Sequence, residues 1–350
     1  MTARRTLRAR IAPLALIALG TPGAGAQSPV VTKEEVFDLL RFDPAQREQV
    51  LQGEIVSREF EELSDKELAV SVAMLLSVPA DRVLESVRSG KILERDRKLL
   101  AHGVIGGDPI DDGDFAAVEF TAQESSEVGA LLQAQPGSKF NLSAEELARF
   151  ADLRKRFSPG SCGAGTECAA GVTSEYRRVL RERAAAYRAQ GVAGIAPYAR
   201  EDGKTSEPGQ ELRTAAAAMK LLSQRLPEVH RAFADYPKGN QGLFEHRFVW
   251  FKHNVQDRPT FVLSHRALHV EPPLAFLAER QFYVGQSYNS LQIVVGLFPL
   301  DGKTLVFYLN RTSTDQVAGF MTGTRHSMGR KIMAKEIRTY FEELRTILQG

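Results

Sequence analysis

The chain has 350 residues, with 45 Lys plus Arg against 43 Asp plus Glu, and hence a formal net charge of +2. Hydrophobic residues make up 43% and charged residues 25%, a composition typical of soluble globular proteins; it excludes a disordered chain, a collagen-like repeat and a polytopic membrane protein. Two Cys are too few for a disulfide scaffold or a four-thiolate zinc site.

The N-terminus has the features of a secretory signal peptide. Four Arg lie within the first ten residues, an apolar stretch runs from Ile11 to Leu19, and small residues end at Ala26. This stretch is about half the roughly 20 apolar residues that a membrane anchor needs. We therefore expect residues 1–26 to be a signal peptide that is cleaved between Ala26 and Gln27. The mature protein is then periplasmic or secreted and has no transmembrane segment.

Cleavage there changes the charge balance of the protein. The mature chain keeps 41 basic and 43 acidic residues, a net charge of −2, because residues 1–26 carry four Arg and no acid. A slightly acidic protein is a poor partner for nucleic acid or for an anionic membrane. We therefore expect no nucleic-acid partner.

The first elements of the mature chain are helices followed by a strand. Thr32 and Glu35 form a capping-box pattern, and Asp43-Pro44 is typical of a second helix start. Residues Leu68 to Val78 alternate with a period of two, which predicts a strand, and Pro79-Ala80-Asp81 then starts a helix. We also predict a strand from Phe115 to Thr121.

The middle of the chain, from about residue 136 to 240, has helical patterns and almost no strand pattern. Ser143 and Glu146 make another capping box, and Tyr176 and Tyr187 lie on one stripe of a later helix. A Gly- and Pro-rich loop holds Cys162 and Cys168. In an oxidising compartment these two thiols are expected to form a structural disulfide, worth roughly 2 kcal/mol for so short a ring.

Strands return after Gly242 and are followed by one long helix. Five segments alternate or run apolar with aromatic and β-branched residues: 244–253, 260–270, 280–288, 291–298 and 303–311. Asp301-Gly302 is a two-residue hairpin signal between the last two segments. The final helix carries an apolar stripe that includes Ile337, Phe341 and Leu344 at helical spacing.

The strand Leu68–Val78 running into its helix, and the Leu291–Arg311 hairpin followed by the Gly329–Leu348 helix, carry a family resemblance. This order is similar to the helix-grip arrangement of the START-like superfamily of hydrophobic-ligand binders. The resemblance implies an α+β fold in which an antiparallel, curved sheet grips the long C-terminal helix. It further implies one domain over residues 27–350, with a mostly helical insertion at about 136–240. The chain also resembles exported bacterial proteins to which no function is assigned.

The resemblance implies a cavity between sheet and helix that binds a lipid-like or other hydrophobic small molecule, with no cofactor. Aromatic residues of the strands are the candidates to line it. We assign this role to five of them: Phe248, Trp250, Phe261, Tyr283 and Phe307.

Four of the seven His fall between residues 246 and 269. His265 and His269 share a strand face but lie about 13 Å apart along it, too far to share one metal directly. His246 and His253 have opposite parity and face opposite sides. A metal or general-base role would need a cross-strand pair, so an envelope hydrolase or metal-dependent enzyme that uses these four His is an alternative function.

A third function class is a structural or protein-interaction module. In that interpretation the helix with Tyr176 and Tyr187 docks an envelope protein. No Gly-x-Ser-x-Gly, His-Glu-x-x-His or phosphate-loop pattern is present, so no motif singles out catalytic residues.

Overall fold

Eight of the strands in the described part of the chain form one antiparallel sheet. The computed structural model describes residues 31–89, 96–137, 139–272, 274–319 and 322–349. The expected signal peptide and its cleavage point at Ala26 and Gln27 lie outside the described residues. The strands, in chain order, are β1 (Val56–Glu59), β2 (Glu67–Leu76), β3 (Leu99–Val104), β4 (Tyr198–Ala199), β5 (Thr205–Ser206), β6 (Glu245–Val255), β7 (Arg258–Glu271), β8 (Leu274–Val284), β9 (Ser290–Leu300) and β10 (Lys303–Ser313).

The order of strands in this sheet is β1-β2-β10-β9-β8-β7-β6-β3, so the last five strands run as a meander that β2 extends at one side and β3 at the other. The hairpin expected at Asp301-Gly302 is present, with φ of 49° and 76° at those two residues, as a tight two-residue turn between twisted strands requires. The small hairpin β4–β5 stands apart from this sheet.

Helices cover both faces of the sheet. They are α1 (Lys33–Leu39), α2 (Pro44–Leu51), α3 (Ala80–Ser89), α4 (Ser125–Leu132), α5 (Ala144–Arg156), α6 (Glu167–Gln190), α7 (Pro208–Ala217), α8 (Lys220–Arg225), α9 (Pro227–Ala234) and α10 (Thr322–Gln349). The capping boxes at Thr32 and Ser143 are confirmed, with each side chain accepting from the backbone amide three residues on.

The long helix α10 and the helix α3 pack on one face of the sheet, which we call the α10 face. The buried stripe of α10 meets alternate residues of β2 and β10, including Val70, Val72 and Val306. Gly329 permits the close approach, since a Cβ there would lie 2.8 Å from the Leu68 side chain. The predicted fold class, an α+β protein with an antiparallel sheet and a long C-terminal helix, is confirmed.

The other helices cover the opposite face, which we call the cleft face, in two groups. Helices α4, α5 and α6 pack over β6, β7 and the end of β8 around a large aromatic core. Helices α1, α8 and α9 pack over β8, β9 and β10. The expected helical insertion is therefore confirmed, and the helical region is longer than expected, because α4 lies wholly before residue 136.

The strand predicted from Phe115 to Thr121 is wrong. The backbone at Gly113–Phe115 is a 3₁₀ turn, and the amide of Val118 donates to the Phe115 carbonyl at 3.0 Å. Phe115 and Val118 are both fully buried, and a spacing of three suits consecutive turns rather than the period of two that a strand needs.

Candidate functional site

A cleft of about 380 Å³ opens on the cleft face between α1, α8 and the sheet. This volume lies within the range of about 300–1,000 Å³ that is typical of small-molecule sites. Phe276 of β8, Val294 of β9 and Phe307 of β10 form its floor, and Leu39 of α1 and Leu222 of α8 form its walls. The cleft is thus predominantly apolar, and it lies on the side of the sheet away from α10.

A glycine determines the shape of this floor. Gly296 of β9 lies directly between Phe276 of β8 and Phe307 of β10 in the register of the sheet. The two rings meet edge to face with centroids 6.1 Å apart. A Cβ at residue 296 would lie 2.0 Å from atoms of the Phe307 ring, so only glycine lets that ring lie flat across β9.

Charged side chains surround the mouth of the cleft and largely neutralise one another. Arg41 pairs with Glu61 at 2.6 Å, and Arg225 pairs with Glu35. Lys220 of α8 is exposed at the same rim and forms no ion pair with the described residues. An apolar interior with a polar rim suits an amphipathic molecule better than a purely polar one.

A row of polar side chains crosses the sheet from the cleft into the interior. Arg311, Gln292, Arg280 and His265 are directly opposite one another on β10, β9, β8 and β7 and therefore share the cleft face. Arg311 and Gln292 line the cleft, whereas Arg280 and His265 are fully buried beyond it.

His265 belongs to a chain of hydrogen bonds whose directions follow from chemistry. The carbonyl of Gln241 can only accept, so His246 Nε2 carries the proton in their 3.3 Å contact. His246 Nδ1 then accepts from His265 Nε2 at 2.9 Å, and His265 Nδ1 accepts from the Tyr187 hydroxyl at 2.9 Å. In this arrangement both imidazoles are neutral, each with one N–H and one lone pair in use.

The environment favours these neutral forms. Burial, together with the proximity of His246 and the positive charges of Arg280 and Arg188, holds the pKa of His265 well below its usual value. Burial also lowers the pKa of the half-buried His246, although the Gln241 carbonyl opposes the effect. Burial raises the pKa of the Tyr187 hydroxyl, with the Arg280 charge acting against it.

Arg280 is a buried cation without an acid partner among the described residues. Its Nε donates to Gln292 Oε1 at 3.3 Å, and its guanidinium carbon lies 4.0 Å from the centroid of the Phe233 ring on α9. Its two terminal nitrogens lack a well-aligned hydrogen bond to any described residue, although the guanidinium lies close enough to the Tyr187 hydroxyl to act on it as a donor. An uncompensated buried charge is costly, so such a group is a candidate for a functional role.

The structure places the five predicted ligand-binding aromatics in two different regions. Phe307 lies on the floor of the cleft. Phe248, Trp250, Phe261 and Tyr283 lie in the aromatic core beneath α4–α6, where Trp250 donates to the Asp114 carbonyl at 3.0 Å and Tyr283 contacts the Tyr176 hydroxyl at 3.1 Å. A ligand contact at these four residues stays a prediction.

The four candidate His are also divided. His246 and His265 are hydrogen-bonded across strands, whereas His269 contacts the Leu243 carbonyl at 2.9 Å and His253 lies on the α10 face, 3.2 Å from Asp96. No three His, Cys, Asp or Glu side chains of the described residues come together as a metal-binding group. Tyr176 and Tyr187 are buried against the sheet, and the docking of a partner protein on the helices around them stays a prediction.

Several residues around the cleft could not be identified from the sequence. Leu39, Met219 and Leu222 are ordinary apolar positions on short helices, and Arg280 is one Arg among many until its strand register is known. One feature of the sequence does indicate a polar group inside the fold: Gln292 lies in an otherwise largely apolar strand.

Cys162 and Cys168 form the expected disulfide, with Cα atoms 4.8 Å apart. In the part of the chain that the structure describes, no helix has the length and apolarity to cross a membrane. The fold and the cleft thus define an α+β protein with a helix-covered antiparallel sheet and a small-molecule-sized cleft. The chain matches no protein-family model, no curated protein and no solved structure.

Proposed function

We propose that this protein binds a lipid-like or other hydrophobic small molecule in the cleft between α1, α8 and the sheet. The observation that carries the proposal is the combination of a volume of about 380 Å³ with an aromatic and aliphatic floor and a rim of paired charges. These are the features of a binding site for a molecule with an apolar body. We propose binding rather than catalysis at this cleft, because His246 and His265 do not line it and are hydrogen-bonded to one another away from it.

The proposal keeps the class of ligand that the START-like resemblance implies but places it on the other face of the sheet. Side chains of α10, among them Ile337, Phe341 and Leu344, fill the contact with the sheet on the α10 face. The cleft is also a space between sheet and helix, but its helices are α1 and α8.

Export is part of the same proposal. Residues 1–26 have the pattern of a signal peptide, and the disulfide between Cys162 and Cys168 suits an oxidising compartment. A periplasmic or secreted carrier protects an apolar molecule from water between membranes. A partner protein of the envelope, which would deliver or receive that molecule, is a prediction.

Native mass spectrometry of the delipidated protein tests the binding directly. After incubation with a mixture of fatty acids, phospholipids and isoprenoids, we expect one retained molecule per chain. The substitution Val294→Phe places a larger side chain in the cleft and should abolish retention, since Val294 is part of the floor.

Val295→Phe is the matched control, because adjacent residues of a strand point to opposite faces and Val295 packs on the α10 face. It should retain the ligand. The proposal is wrong if the wild-type protein takes up none of these molecules, or if Val295→Phe abolishes retention and Val294→Phe does not.

A further inference from the structure

We propose that the ligand is an anionic amphiphile whose oxyanion head group passes Gln292 and binds Arg280, which is buried just beyond the inner end of the cleft. This inference rests on the proposed function, since it names the chemical class of the molecule that occupies the same cleft. It assigns a role to a buried guanidinium that has no acid partner among the described residues and no well-aligned hydrogen bond at its terminal nitrogens.

Two other Arg side chains with little exposure, Arg183 and Arg311, have carboxylate partners, and Arg280 differs from them. Arg183 donates to both carboxylate oxygens of Glu146, at 2.7 and 2.6 Å. Arg311 pairs with Glu67 at 2.8 Å. Arg280 is the least exposed of these three, at 0%, and no acid of the described residues pairs with it. The site therefore lacks one negative charge.

Arg280 is connected to the cleft through its Nε, which donates to Gln292, and its guanidinium also lies beside Tyr187 and His265. The Phe233 ring packs on the guanidinium carbon at 4.0 Å. The N–H donors of a guanidinium lie in its plane and form a fork that matches a carboxylate. Phe233 packs against the flat face and does not cover that edge, so a ligand oxygen would share it with the nearby Tyr187 hydroxyl.

Gln292 connects this edge to the cleft. It lines the cleft, and its Oε1 accepts from Arg280 Nε at 3.3 Å, a long contact for a charged donor. When the head group arrives, the Gln292 amide rotates away and an oxygen of the ligand replaces it as the acceptor. The apolar tail then lies over Phe276 and Phe307.

A singly charged head group fits better than a doubly charged one. Arg280 supplies one positive charge, and the acids at the rim, Glu35 and Glu61, are already paired with Arg225 and Arg41. A carboxylate therefore balances the site, whereas a phosphate dianion leaves one negative charge uncompensated in a buried place. We commit to a long-chain carboxylate.

Three ligands with similar tails separate the contribution of the head-group charge from that of the apolar tail. Palmitate, hexadecanol and hexadecyl phosphate are titrated into the delipidated protein by isothermal calorimetry. Hydrogen bonds to a charged group make palmitate roughly 10- to 100-fold tighter than hexadecanol. Tighter binding of the phosphate than of palmitate would overturn the assignment of a carboxylate. Equal binding of palmitate and hexadecanol would overturn the whole inference and leave the proposed function intact.

The variant Arg280→Met removes the charge and keeps most of the side-chain volume. It should bring the ratio of the palmitate and hexadecanol affinities close to one and leave hexadecanol binding unchanged. Lys220→Met removes an exposed cation at the rim and is the matched control, which should keep the wild-type ratio. If Lys220→Met removes the preference and Arg280→Met does not, the head group lies at the mouth and the inference is wrong.

A measurement on the wild-type protein guards against misfolding of the Arg280 variant. Palmitate labelled with ¹³C at the carboxyl carbon reports its ionisation by NMR. Beside a buried guanidinium, the pKa of the bound carboxyl should lie below that of palmitate in a neutral micelle. A raised pKa means that the head group is buried without a cation, which would refute the role of Arg280. Failure of all three ligands to bind refutes the proposed function as well.

Discussion

The buried, neutral His265 makes the stability of this protein dependent on pH in a defined direction. Burial holds the pKa of its imidazole well below the usual value, so the unfolded chain binds a proton at a higher pH than the folded one does. The stability that neutral His265 contributes is therefore fully present above the unfolded pKa of about 6.5 and falls as the pH decreases below it. The loss ends only when the pH falls below the folded pKa.

The size of the effect follows from linkage. Between about pH 7.5 and about pH 5.5, a group with an unfolded pKa of about 6.5 that stays neutral in the fold contributes a loss of about 1.4 kcal/mol. Replacement of His265 by Gln removes the titration but keeps one donor and one acceptor for His246 and Tyr187. The fall in the free energy of unfolding over this range should shrink by that amount.

Urea denaturation at several pH values measures this difference. His102→Gln, at an exposed position of β3, is the matched control and should keep the wild-type slope. Comparison of slopes rather than absolute stabilities makes the test independent of any general cost of the substitution. A His265→Gln protein with the same pH slope as the wild type would refute the assignment of a neutral, buried His265.

Two further predictions concern packing and charge. Gly296→Ala should lower the free energy of unfolding by about 1–3 kcal/mol and weaken ligand binding, because the added Cβ pushes the Phe307 ring into the cleft. Thermal unfolding measures the first effect and calorimetry the second. Gly106→Ala is the control, because a Cβ there meets no atom within 4 Å. Glu146→Ala should cost about 3–5 kcal/mol, since it leaves the buried Arg183 without its carboxylate partner. The same change at the neighbouring Glu145, with a side chain 86% exposed, should cost little in urea denaturation. A small loss for Glu146→Ala would mean that Arg183 finds water or another acceptor.

The elements of this fold could be predicted where the local pattern was long and regular. The strand Leu68–Val78 and the helix after it correspond to β2 and α3, and the Asp301-Gly302 hairpin is where the turn chemistry places it. The prediction of a strand over residues 280–288 is wrong in its bounds. Strand β8 begins at Leu274, directly after two Pro, and ends at Val284. Its register then shifts at a bulge, so that Phe282 and Tyr283 both contribute to the aromatic core.

The candidate site could not be predicted in the same way, because it depends on register and on contacts between distant segments. The cleft needs Leu39 of α1 and Leu222 of α8, which are far apart in the chain and have no special local pattern. The polar row needs the register of four strands before Arg280 lies beside Gln292 and His265. Parity correctly separated His246 from His253, but it could not pair His246 with His265.

Photolabelling tests the central claim, that the apolar ligand occupies the cleft on the face away from α10, most directly. A palmitate analogue with a diazirine on its tail is bound to the delipidated protein, irradiated, and its adducts are mapped by peptide mass spectrometry. The account predicts adducts on α8 and on β10, on the segments Met219–Arg225 and Leu305–Arg311. Adducts on the apolar stripe of α10, at Ile337, Phe341 or Leu344, would contradict it.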